Sequence, residues 1–190
     1  MKPFILASAS PRRRDLLAQI GLEPSQIIPA DINEDPIEGE LPRQHALRLA
    51  CEKAQKVASD YPKQIILASD TVVGLGRRIL PKTENSASAE TCLRLLSGRA
   101  HRVFTGVAVI DETGQLRSRV SETRLKMKRL SKAEITDYLA SEEWDGKAGG
   151  YGIQGRAGAF IHHISGSYTG VVGLPAVSYT HLTLPTILLV

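Results

Sequence analysis

The chain has 190 residues, room for one domain with a sizeable core. Hydrophobic residues at 42% and charged residues at 23% are ordinary globular usage, which excludes a disordered or fibrous protein. The net charge of +4, from 24 Lys and Arg against 20 Asp and Glu, suits a phosphate-bearing ligand without requiring one.

Met1-Lys2-Pro3 leads into Phe4–Ala7, a buried-strand pattern that polar residues stop at once, too short for a signal peptide. Ser10 then stands as a helix N-cap with Pro11 at the first position. Leu16, Leu17 and Ile20 give that helix an apolar face, and Gly21 ends it. Residues 29–42, rich in Pro, Asp and Glu, read as a loop. From residue 43 to about 59, Leu47, Ala50, Cys51, Ala54 and Val57 follow helical spacing. Residues 65–69 form a second buried strand. Val72-Val73 and Ile79-Leu80 flank Gly74-Leu75-Gly76 as a hairpin would.

Residues 88–96 read as a helix closing on Ser97-Gly98, and residues 103–110 as a third strand with a turn at 111–114. Over residues 123–128, Leu125 and Met127 alternate with Arg124, Lys126 and Lys128. Ser131 and Glu134 have capping-box spacing, with Leu130 and Ile135 placed for the hydrophobic staple, and that helix runs to about Ala140. Apolar runs such as Ile65-Ile66-Leu67-Ala68 fall far below the ~20 residues that span a bilayer. Cys51 and Cys92 lack paired spacing and read as reduced thiols of a cytoplasmic protein. With neither repeat nor linker, the pattern predicts one mixed α/β domain.

Four segments could carry chemistry. Ser8-Ala9-Ser10-Pro11-Arg12-Arg13-Arg14 lies on a strand-to-helix junction, where backbone N–H groups attract anions. Arginines in a first helical turn oppose the helix dipole, a cost that a bound polyanion would offset; a solvated basic turn is the ordinary alternative. Ser69-Asp70-Thr71 follows an apolar strand, where a carboxylate can orient water or hold a divalent cation, although Asp is also common in strand-end turns. Glu34 sits in the acidic loop, Lys53 at the edge of its helix's apolar stripe and Lys82 after Pro81. Lys53 could reach a cleft, but snorkelling to solvent is the commoner behaviour. Neither Arg13 nor Lys82 lies in an apolar stripe. Finally, the glycines of residues 146–155 allow close backbone approach to a ligand, and Gln154 offers both a donor and an acceptor to a base edge. A flexible surface loop is the competing reading. His162-His163 lacks ligand spacing, and the basic run from Arg117 to Arg129 reads as a solvated strand face.

In order along residues 4–175, L-A-S-A-S-P-R-R-R-D-L-L, R-L-A-C-E-K-A, A-S-D-T-V-V, L-S-G-R-A-H-R-V-F-T-G, W-D-G-K-A-G-G-Y-G-I-Q-G and I-S-G-S-Y-T-G-V-V-G-L-P resemble the Maf family of nucleotide pyrophosphatases. The resemblance implies an α/β fold, a Maf/ITPase-like mixed sheet with two lobes around a central cleft. It implies a homodimer, a divalent metal (Mg or Mn), and cleavage of a nucleoside triphosphate between its α- and β-phosphates. Neither a membrane nor a nucleic acid is an expected partner. Carried over by motif, Asp70 is the catalytic base. Ser8, Arg12, Arg13, Lys53 and Lys82 hold phosphates, and Glu34 with Asp70 places the metal. Arg12, Thr71 and Gln154 match the members acting on dTTP and UTP rather than those acting on 7-methyl-GTP. A nucleotide- or nucleic-acid-binding regulator of cell division is the alternative that the clustered arginines also fit.

Two departures stand out. Gly170 occupies a place where the family usually has Asn. After Gly173-Leu174-Pro175, where the family continues into an amphipathic helix, Pro185 and a Thr-rich run oppose helix formation. That segment resembles translated sequencing-adapter tails. The expectation is a Maf-like domain over residues 1–176 and a non-native tail over residues 177–190.

Overall fold

The computed structural model describes residues 2–176. In chain order the elements are β1 (Phe4–Ala7), α1 (Pro11–Gln19), β2 (Gln26–Ile27), α2 (Pro42–Asp60), β3 (Ile65–Leu75), β4 (Arg78–Leu80) and β5 (Lys82–Thr83). They continue with α3 (Ser86–Leu96), β6 (Ala100–Ile110), β7 (Leu116–Met127), α4 (Lys132–Ala140), β8 (Lys147–Ala148), β9 (Ile161–Ser165) and α5 (Tyr168–Val172). The main sheet runs β2-β1-β3-β6-β7-β9, with β4 also on β3, and β5 pairs with β8 separately. β1 is parallel to β2 and β3, and the remaining ladders are antiparallel, so the sheet is mixed and the fold is α/β.

β1 is apolar throughout because both its faces are covered. Phe4 and Leu6 join Leu16, Leu17 and Leu174 on the α1 face, while Ile5 and Ala7 join Ala50, Ala54 and Val57 of α2 on the other. β3 continues the alternation, with Ile65 and Leu67 toward α1 and Ile66 and Ala68 toward α2. The period of two therefore sends Asp70 to the α2 face and Ser69 and Thr71 to the other. Helix α2 lies almost on the sheet backbone: a Cβ added at Gly106 of β6 would run into the Ala46 carbonyl. A separate, larger core gathers Val73, Leu93, Leu96, Val103, Leu125, Met127, Tyr138 and Phe160 around the far halves of the same long strands. The two clusters at one end and the one at the other thus share β3 and β6, and the join between the ends is the region of Asp70.

The strand pairing opens a gap at that join. On one edge of β3, β1 pairs with residues 65–68 and β4 with residues 73–75. Between them, among the described residues, that edge of β3 has no strand neighbour. The opening lies at the carboxyl end of β1, where ligands gather in open α/β sheets.

Several local readings hold. Ser131 and Glu134 form the capping box, and Leu130 and Ile135 are both buried beside it. Others change. Ser10 stands at the start of α1, but its hydroxyl makes no capping bond; its N–H donates to the Ser8 hydroxyl instead. β3 does not stop before Asp70 but runs on as one strand to Leu75, because β6 pairs alongside it with Gly106 opposite Asp70. Asp70 is thus a mid-strand residue, 1% exposed, and not a turn residue. No helix among the described residues is long and apolar enough to cross a membrane. The expectation for residues 177–190 lies outside the described residues.

Candidate active site

Asp70 reaches the α2 face, where Lys53 meets it. The Lys53 ammonium lies 2.6 Å from Asp70 Oδ1 and 2.5 Å from Glu34 Oε1, and Lys82 pairs with Glu34 Oε2. Lys53 is 6% exposed, so it does not snorkel to solvent; two carboxylates hold it inside. The other Asp70 oxygen, Oδ2, is buried without a hydrogen-bond partner. Burial pushes the Glu34 carboxyl up, but hydrogen bonds from Lys53 and Lys82 outweigh it and hold the group down at about 2. Carboxylates and ammoniums alternate here: Asp70, Lys53, Glu34, Lys82.

Arg13, from the first turn of α1, is 9% exposed. It donates through Nη1 to the Ser8 hydroxyl at 2.8 Å and through Nε to the Gly173 carbonyl at 3.0 Å. The Ser69 hydroxyl donates to the same carbonyl at 2.9 Å. The Ser8–Arg13 turn is thereby stapled to the C-terminal segment, so Arg13 carries a structural duty that its place outside the apolar stripe did not reveal. Burial lowers the pKa of Arg13, and the nearby Asp70 charge raises it in part. Burial likewise lowers that of Arg12. Arg14 points away and pairs with Asp15. On the same face, the Thr105 hydroxyl donates to the Gly170 carbonyl at 2.7 Å and lies 3.2 Å from the Thr71 hydroxyl. A Cβ at Gly170 would crowd the side chains of Ser167 and Ser121 at 3.2–3.3 Å, so the glycine fits tightly here.

The glycine-rich segment is not a free loop. Gly146 N–H donates to the Thr83 carbonyl and Gly149 N–H to the Pro81 carbonyl, both at 2.9 Å, while the Thr83 hydroxyl donates to the Trp144 carbonyl at 2.7 Å. Gly149 has a φ of +67°, and a Cβ there would press on Val73. The segment is fastened to the strand bearing Lys82, and exposed Gln154 stands at its rim. Behind it, Tyr151 is buried with its hydroxyl 2.6 Å from His101 Nε2, and the Tyr138 hydroxyl accepts from Gly152 N–H.

These parts enclose a cleft of about 360 Å³ that brings together Ser8, Arg12, Arg13, Glu34, Lys53, Asp70, Thr71, Lys82 and Gln154. Every residue predicted for the site lines it. Sequence reasoning missed Lys147 and Tyr151, which also line it. Lys147 stands inside the glycine segment, and the signal was a lone cation among glycines. Burial, and then the charge of Arg12, lower the Lys147 pKa. Five cations face three carboxylates, Glu34, Asp70 and Asp145, so the cleft has a positive excess matched to a polyanion.

The family model described as Maf-like protein matches residues 3–184. A protein named dTTP/UTP pyrophosphatase from Caulobacter vibrioides is 58% identical over 90% of this chain and 89% of its own length. Another of the same name from Maricaulis maris is 61% identical over 90% of this chain and 82% of its own. A solved Ham1 protein from Coxiella burnetii has 17% identity and a TM-score of 0.46 over 70% of this chain and 76% of that one, a likeness too partial to carry an argument. The Maf model takes in every element from β1 to α5, and these relatives agree with the chain at more than half of the aligned positions: the chain belongs to the Maf family.

Proposed function

We propose that this protein hydrolyses nucleoside triphosphates, dTTP and UTP in preference, to the nucleoside monophosphate and pyrophosphate. The observation that carries the reading is Asp70: a buried carboxylate, one oxygen held by Lys53 and the other unpartnered, in a cleft where cations outnumber carboxylates. In the reaction, water attacks the α-phosphorus, its proton passes to Asp70, and the bond from the α-phosphorus to the bridging oxygen breaks to release pyrophosphate. Ser8, Arg12, Arg13 and Lys82 supply charge and hydrogen bonds to the phosphates, and Lys53 keeps the Asp70 carboxylate oriented. The nucleotide preference rests on the relatives' names and on Gln154, whose amide presents a donor and an acceptor to a pyrimidine edge.

A divalent cation, Mg or Mn, fits the donor set. Glu34 and Asp70 already converge on one cation, the Lys53 ammonium. An ion held there would take these one or two carboxylates and complete its shell with phosphate oxygens and water. Bound there, such an ion neutralises phosphate charge and acidifies water. The homodimer that the family resemblance implies, and the cytoplasmic setting read from the unpaired Cys51 and Cys92, belong to the same reading. A regulator that merely binds phosphate gains nothing from two carboxylates in its site.

The test is pyrophosphate release from dTTP, UTP, ATP and 7-methyl-GTP, with and without chelator, for wild type and Asp70→Asn. The expected result is turnover of dTTP and UTP that chelator stops. Asp70→Asn is expected to lose ~10²–10⁴ in rate while still binding nucleotide. Near wild-type turnover by Asp70→Asn, or full turnover in excess chelator, refutes the mechanism.

A further inference from the structure

Glu34 belongs to neither helix nor strand. The segment between β2 and α2 makes no regular structure after Ile27, yet its carboxylate must stay within hydrogen-bond reach of Lys53 and Lys82. Fixing such a segment costs ~1–2 kcal/mol of entropy per residue, so something must hold it. Arg48 of α2 does. Its Nη2 donates to the carbonyl of Asp35, the residue directly after Glu34, at 3.0 Å. Nε and Nη2 grip both oxygens of Glu40 at 2.8 and 2.9 Å. Nη1 reaches back to Glu52 at 3.1 Å, bracing the guanidinium on its own helix. Glu40 in turn accepts from the Ile37 N–H at 3.1 Å and lies 2.8 Å from His45 Nδ1. One planar group thus closes the loop from residue 35 to residue 40. It does so from the same helix that carries Lys53, so clamp and ammonium share one rigid frame.

We propose that Arg48 is a positioning residue for the reaction: by fastening the Asp35 carbonyl and the Glu40 carboxylate to α2, it sets the place of the Glu34 carboxylate opposite Lys53 and Asp70. Arg48 does not line the cleft; it acts through Glu34. The task suits arginine alone, since an ammonium cannot span a carbonyl and both carboxylate oxygens with one planar fork. This inference rests on the pyrophosphatase reading for its kinetic consequence, and on the fold alone for the clamp.

The test is a double-mutant cycle in full-length protein with dTTP and Mg²⁺. Arg48→Gln is expected to lower kcat about 10–100-fold with KM changed less than about threefold, since misplacing a site group by ~1 Å costs on that order. Arg48→Lys is expected not to rescue. In a Glu34→Gln background, adding Arg48→Gln is expected to cost nothing further, because the residue through which it acts is already disabled. Glu40→Gln, which keeps the shape and removes the charge, gives the same cycle if Arg48→Gln does not fold. Additive losses in the cycle, or unchanged kcat in a folded variant, overturn the proposal. Amide exchange of residues 33–37 reads the clamp without activity: it is expected to quicken in Arg48→Gln, and unchanged exchange also overturns the proposal. Wild-type protein inert toward every triphosphate, with the exchange still quickened, would sink the pyrophosphatase reading and leave the clamp standing.

Discussion

Replacing Lys53 with methionine tests the electrostatics of the site, because the unbranched apolar stem is largely kept while the ammonium, with its charge and its hydrogen bonds, is lost. Asp70 Oδ1 and Glu34 Oε1 both lie against the Lys53 ammonium, so they are no more than about 5 Å apart. At an effective dielectric of about 20, two unit charges at that separation repel by ~3 kcal/mol. Asp70 is buried and has no water to compensate it, whereas Glu34 is a third exposed and is partly screened. Losing one partner of a buried pair costs ~3–5 kcal/mol in general, so a loss of about 2–4 kcal/mol follows here. For a chain of this size that lowers Tm by roughly 5–15 °C. Without Lys53, one of the two cations that hold the Glu34 carboxyl down is gone; protonating Glu34 relieves the repulsion, so the deficit is expected to be largest near pH 8 and to shrink as pH falls. Millimolar Mg²⁺ is expected to recover part of it by replacing the missing cation. The assay is thermal and urea unfolding of wild type and Lys53→Met at pH 5 and pH 8, with and without Mg²⁺. Equal stability of the two proteins at pH 8 without Mg²⁺ would refute the argument that Lys53 neutralises a buried carboxylate pair.

Four other outcomes follow from the same structure. Gly106→Ala forces a methyl into the Ala46 carbonyl, a backbone group that cannot turn aside, and is expected to cost ~1–3 kcal/mol or more in urea unfolding. Arg13→Ala is expected to lower both the melting temperature and the activity, because it releases Ser8 and Gly173, whereas Lys82→Ala, at an exposed site, is expected to lower activity with little change in melting. Burial pushes the His101 imidazole down to about 4, against about 6.5 when unfolded. The unfolded chain therefore binds the extra proton between those values. Stability is expected to be full above pH 6.5 and to decline as pH falls toward 4, by roughly 3 kcal/mol, with the slope flattened in His101→Gln. Gln154→Glu is expected to reduce kcat/KM for dTTP and UTP relative to 7-methyl-GTP by about 10–100-fold, since a bound base would cover this exposed side chain and a polar group left unpaired on being covered costs ~1–3 kcal/mol; unchanged ratios would show that Gln154 does not read the base.

Residues whose environment is set by near neighbours were legible in the sequence, and those set by distant partners were not. Phe4–Ala7, the Ser131 capping box and the alternation at Leu125 and Met127 follow from local spacing, and the structure shows each of them. The order of the motifs pointed to Ser8, Arg12, Asp70 and Lys82 together, and all four line one cleft. Asp70 looked like a turn residue because its strand partner Gly106 lies 36 positions away and lends no local signal. Lys53 looked solvated because the carboxylates that hold it come from β3 and from an irregular loop. Arg13 looked dispensable to the fold because its acceptor, Gly173, is 160 residues away. Lys147 and Arg48 carried only weak signals, a cation among glycines and a charge on the polar side of a helix.

β3 and β6 enter all three of these hydrophobic cores, and their register is unbroken from Ile66 opposite Ile110 to Gly74 opposite Arg102. A hinge between the lobes would have to bend this ladder directly beneath Asp70, breaking hydrogen bonds whose groups have no water to turn to. The floor of the cleft is therefore a fixed rule against which a substrate is measured. On the proposed reading, adaptation to different nucleotides falls to the rim at the Gln154 segment. Substitutions on the rim should alter which base is accepted, whereas substitutions along the shared strands should alter whether the protein folds. Changing selectivity in this scaffold is thus expected to be a matter of re-dressing one edge, with the carboxylates around Lys53 left as they stand.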